Sequence, residues 1–100
     1  MIKVIEKIIW VKSLHDGERH AEGYDSWIEY WLEKNNRYTS VPLCPRCNER
    51  KATDGSHVIK VNSEDKKWYI VPLCETCNEK KDDNPFRVKE SMLVIANQVK

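Results

Sequence analysis

Four cysteines carry the most specific chemistry in this 100-residue chain, and all four lie in one phrase written twice. VPLCPRCNER at 41–50 returns as VPLCETCNEK at 71–80, giving Cys44-x2-Cys47 and, 26 residues on, Cys74-x2-Cys77. Two-residue spacing lets a pair of sulfurs converge on one ion while the amides of the turn point back at them. Four such sulfurs suit tetrahedral Zn²⁺ at about 2.3 Å. Iron is the alternative, although rubredoxin-like knuckles continue with Gly where both phrases here continue with Asn. The competing reading is a pair of disulfides or simply buried thiols, and doubled CxxC units argue against it. Two separate metal sites would need more ligands than four cysteines and three histidines provide, so the copies read as two jaws of one site. Four sulfurs leave no open coordination position, which makes the expected ion structural. Pro42 and Pro72 stiffen the approach, and Asn48 and Asn78 stand where a turn often needs positive φ.

The elements that must position this site can be read outward from it. Residues 52–74 read as a hairpin, with a turn at Asp54-Gly55, β-prone runs at 57–61 and 68–71, and a polar connection starting at Asn62. A short helix is expected from Cys74 through Glu75 to Asp83, ended by Asn84-Pro85. DSWIEYWLEKNN at 25–36 is the clearest helix: Ser26 and Glu29 form a capping box, and Trp27, Ile28, Trp31 and Leu32 repeat at helical spacing. KIIWVKSL at 7–14 predicts a strand, followed by a polar loop in which His15 and His20 are solvated. From Val88 onward a terminal strand is preferred to a helix. The fold class predicted is α+β, one domain over 1–100: an N-terminal strand and amphipathic helix in 1–40, a four-cysteine core in 41–84 and a C-terminal strand in 85–100.

Composition explains why a staple is needed. Only 40% of residues are hydrophobic and 33% are charged, and a domain of this size buries under about 70% of its unfolded surface. A bound ion would supply the missing stability. With 17 basic residues against 16 acidic, the electrostatic footprint of a non-specific nucleic-acid binder is missing, so any such contact rests on a local cluster. No apolar run reaches the roughly 20 residues of a membrane span, MIKVIEKIIW has no signal-peptide pattern, and a cytoplasmic location with reduced thiols is expected. No small-molecule substrate suggests itself.

The order knuckle, hairpin, helix bearing the second CxxC resembles a treble-clef finger. Within that group 44–81 resembles the HNH (ββα-metal, His-Me finger) nucleases, through CPRC, GSHV and LCETCNEKK. Together with SWIEYW, the frame GSHV…WYIVPLCETCN also resembles small bacterial proteins of the same layout. The resemblance implies that His57 stands at the general base and Asn78 at a helix position that helps hold a catalytic Mg²⁺ or Mn²⁺. Ser56 falls where the family carries an acidic ligand, and Tyr69 where it carries Asn. The reading is therefore a zinc module that binds a nucleic acid or a protein without catalysis, with His57 structural. Arg46, Arg50 and Lys51 on one knuckle and Lys80 and Lys81 on the other are the candidate contacts, or else an ordinary solvated face. The alternatives are an HNH-type endonuclease using His57, Asn78 and Asp54 or Ser56, and a protein–protein adaptor presenting Trp27 and Trp31, through self-association or another partner. The oligomeric state is open.

Overall fold

The computed structural model of the chain describes residues 7–14, 26–35, 40–80 and 84–96. Among the described residues five antiparallel strands form one sheet in the order β4-β1-β2-β3-β5: β1 (Ile8–Ser13), β2 (Asp54–Lys60), β3 (Tyr69–Leu73), β4 (Phe86–Lys89) and β5 (Val94–Ile95). Two helices, α1 (Trp27–Lys34) and α2 (Glu75–Glu79), complete an α+β arrangement. Among the described residues no helix is long and apolar enough to cross a membrane.

Strand alternation gives the sheet two working faces. Val58 stands opposite Tyr69 and Ser56 opposite Val71. Together with Val11, Leu73, Phe86 and Val88 on the same side, Val58 and Val71 form the cluster that also contains Cys44, Cys74 and Cys77. The other face presents His57 opposite Ile70, and there Ile70 joins Tyr30, Trp31, Met92, Val94 and Ala96. The strand residues of the two layers are those that one strand period sends to opposite sides.

The expected hairpin is present but longer. Asp54 and Gly55, read as a turn, instead open β2 and pair with Leu73 and Pro72. The glycine has another purpose: a Cβ at Gly55 would sit 2.5 Å from the Trp27 carbonyl carbon and 2.7 Å from Trp27 Cβ. Gly within a strand here marks close backbone approach. Gly55→Ala is expected to push α1 off the sheet and cost about 1–3 kcal/mol, as overpacking does. Thermal melting should show it as a fall of roughly 4–8 °C for each kcal/mol. An unchanged melting temperature would mean that α1 is not seated there.

The real chain reversal lies further on, where Asn62 takes φ 54. It is tied down by Asp65, which accepts from the Tyr69 hydroxyl at 2.6 Å and the Lys67 amide at 2.9 Å and pairs with Lys60 at 3.0 Å. Those partners, the Tyr69 hydroxyl first, hold the Asp65 carboxyl far below its usual range. Its contribution to stability is present above the ordinary carboxylate range and fades as acid protonates it.

Helix α1 begins as its capping residues direct, with Ser26 Oγ accepting from the Glu29 amide at 3.3 Å. Its buried side then clamps the C-terminal segment through three carbonyls: the Tyr30 hydroxyl donates to Ile95, Trp31 Nε1 to Met92 and Asn35 Nδ2 to Ser91. Trp31 is fully buried and Trp27 half-buried. An exposed Trp27/Trp31 face for an adaptor is therefore corrected at Trp31, whose ring the fold itself consumes.

The single C-terminal strand expected over 85–100 is also corrected. It is two short strands split by a 3-10 turn at Glu90–Met92. β4 pairs with β1 and β5 with β3, so the segment reaches both ends of the sheet. The loop carrying His15 and His20, and Lys81, fall outside the described residues.

Candidate metal centre

Each jaw is built differently, despite the repeated phrase. The first is a knuckle closed by an isolated bridge between Leu43 and Lys51. The Cys44 amide donates to the Arg50 carbonyl at 2.8 Å, and the Asn48 amide to the Cys44 carbonyl at 2.8 Å. Asn48 takes φ 58, the left-handed conformation its position suggested. The second jaw is a helix start. Cys74 caps α2 and its Sγ accepts from the Cys77 amide at 3.4 Å. Asn78 therefore lies inside α2, and the positive φ expected of it is corrected, because the helix leaves no turn there.

The sequence-predicted ligands converge. Thiol sulfurs of Cys44, Cys47, Cys74 and Cys77 all lie within 4.8 Å of one another, Cys47 and Cys74 at 3.8 Å. A tetrahedron with Zn–S of about 2.3 Å has an edge of roughly 3.8 Å, so the spacing fits one ion with a small contraction. None of the four is in a disulfide. Cys44, Cys74 and Cys77 are buried and Cys47 half-buried.

The electrostatics of the cluster suit a cation that displaces protons. Amides of Glu49 and Arg50 directed at Cys47 lower its thiol to about 6. Burial pushes the Cys44 thiol up, and burial followed by neighbouring Cys74 pushes Cys77 up to about 12. Without an ion the cluster cannot carry four negative charges. A divalent metal removes that penalty and deprotonates coordinating thiols outright. The set can hold a metal, and zinc fits its chemistry.

The remaining candidates do not gather here. His57 is buried and its ring meets Trp27 at 4.6 Å and Trp68 at 5.7 Å, both edge-on. Those contacts lie on the α1 face. Asn78 contacts the other side, donating from Nδ2 to Asp54 Oδ2 at 3.0 Å; Asp54, Ser56 and Val58 share that face by alternation. The residues that the resemblance joins as base and metal holder thus sit across the sheet from each other. Asp54 does reach Asn78, because β2 begins at Asp54, where sequence alone placed a turn.

Among the basic candidates, Arg50, Lys51 and Lys80 are exposed, with Glu49, Glu75 and Glu79 beside them. Arg46 lies over the Phe86 ring at 5.1 Å and is half-buried, a packing role that its position in CPRC did not reveal. Sequence reasoning also passed over Trp10 and Arg87, which stack at 5.7 Å. The alternation in IIWVKS and FRVK was the signal available.

With this geometry in hand, comparison of the chain with models of protein families, with curated proteins and with solved structures found no match in any of the three.

Proposed function

We propose that this chain is a zinc-stapled, non-catalytic binding module with a treble-clef layout of the HNH type, acting on a nucleic-acid or protein partner. The observation that carries it is the convergence of four thiols into one set. Four thiolates fill a tetrahedral ion, which then has no position left for substrate or water. The chain order of knuckle, β2–β3 hairpin and a helix opened by Cys74 supports the layout.

The nuclease reading has one observation in its favour, the Asp54–Asn78 contact: a carboxylate beside the helix Asn is where Mg²⁺ or Mn²⁺ would sit. Against it stands His57, buried against two tryptophans on the face opposite the Asp54–Asn78 contact. A general base must come within hydrogen-bond reach of the proton it takes.

Plasmid nicking tests the choice. The purified protein with Mg²⁺ or Mn²⁺ should cut no faster than its His57→Ala variant. Cutting that the substitution abolishes, with the variant still folded and zinc-loaded, would replace the binding module by an endonuclease. For the partner, balanced charge and the Glu residues interleaved with Arg50, Lys51 and Lys80 favour a protein over a nucleic acid.

A further inference from the structure

At the β4 end of the sheet an apolar groove of about 670 Å³ runs between the first knuckle and β1. Pro42, Leu43 and Pro45 form one wall and Trp10 another. Leu43 and Trp10 are exposed by 53% and 50%, and so much uncovered apolar surface in one place marks a contact site. Arg46, Arg87 and Lys89 also line the groove, and among the described residues no carboxylate does.

The backbone adds a second, independent feature. Among the described residues β4 has a strand on one side only. Glu90 donates its amide to the Lys7 carbonyl, and antiparallel pairs alternate, so Val88 and Phe86 turn their backbone groups to Ile9 and Val11. Arg87 faces outward. Its N–H and C=O are an unused donor and acceptor along the groove, among the described residues.

We propose that this edge receives an extended acidic peptide segment of a partner protein, which adds a strand beside β4. Backbone bonds to Arg87 set its register, its apolar side chains enter the groove against Leu43 on the face of Phe86 and Val88, and its carboxylates, at alternate positions, meet Arg87 on the other face. Strand addition takes affinity from main-chain bonds and specificity from alternate side chains. The cations that keep two copies of β4 apart by repulsion, as charged edges do, select an acidic strand. The inference rests on the binding-module reading and names its partner class.

The test uses fluorescence anisotropy on the zinc-loaded protein, with a labelled decapeptide of alternating Glu and Val. Binding should weaken several-fold between about 50 and 300 mM salt. Arg87→Glu should weaken it by about tenfold or more, since like charges then face each other, with zinc content and melting unchanged. A peptide N-methylated at its Glu residues, equal in charge, should lose binding, because in the added antiparallel strand those are the amides that face Arg87. No binding at millimolar peptide, equal binding of the N-methylated or of a Lys/Val peptide, or preferential binding of a labelled twelve-residue oligo(dT) would each overturn the proposal. Metal analysis of the same sample reads the zinc module separately: a zinc-loaded protein that ignores the peptide sinks the strand addition alone.

Discussion

Stripping the metal with a strong chelator is expected to abolish the cooperative thermal transition of this protein at neutral pH, and zinc should restore it with one ion per chain. The size of the effect comes from two magnitudes. A domain of this length has about 5–15 kcal/mol of net stability, while structural zinc in finger peptides contributes about 10–16 kcal/mol. Removing it consumes the whole margin. Cys44→Ser and Cys77→Ser should act alike, since both side chains are buried in the cluster that joins the knuckle to the sheet, and each loses a ligand.

The pH dependence has a defined sign. In the metal-free cluster Cys44 and Cys77 hold their protons at neutral pH, so the ion must displace them and apparent affinity rises with pH. As pH falls through about 6 the Cys47 thiolate, whose depressed value favours the folded state only above that point, is protonated as well. Zinc release monitored with a chromogenic chelator should therefore climb steeply on acidification. A melting curve indifferent to chelation, or zinc content unaffected by either serine substitution, would remove the central assumption about this fold.

The second large effect is at Trp31. Trp31→Ala should cost about 3–5 kcal/mol, the usual range for emptying a large aromatic site, and lower the melting temperature by well over about 10 °C. Trp31 is fully buried and its Nε1 donates to the Met92 carbonyl at 2.7 Å, so the substitution opens a cavity and orphans a carbonyl together. Trp31→Phe separates the two: it retains most of the volume and should cost only about 1–3 kcal/mol for the orphaned carbonyl. Denaturant titration of both variants checks the ranking. Had the tryptophan been an exposed adaptor residue, both substitutions would leave stability within about 0.5 kcal/mol and change only the oligomeric mass.

The cysteine repeat specified its own site because a CxxC chelate is local. Two intervening residues fix where two sulfurs can point, and nothing distant has to be known. The Ser26 cap and the 3.6-residue recurrence of Trp27, Trp31 and Leu32 are local for the same reason, and so is the left-handed Asn48. The likeness of the two phrases misled at Asn78, because identical letters sit in a knuckle once and in a helix once. The backbone around each copy decides between those two states, and around the second it winds into α2.

Tertiary structure alone decided the rest. Whether His57 and Asn78 share a face depends on strand register, and shifting a strand by one residue sends every side chain to the other side. Register is set by pairing with β1, far back along the chain, as well as with the hairpin partner β3. Gly55 reads as a turn until α1 is laid against it, at which point only a residue without a Cβ fits. The split of 86–95 between opposite sheet ends, and the open Arg87 edge it leaves, likewise come from non-local pairing. The chain wrote its candidate metal ligands in short-range spacing; which side chains surround them was decided by strand pairing, most of it between residues dozens of positions apart.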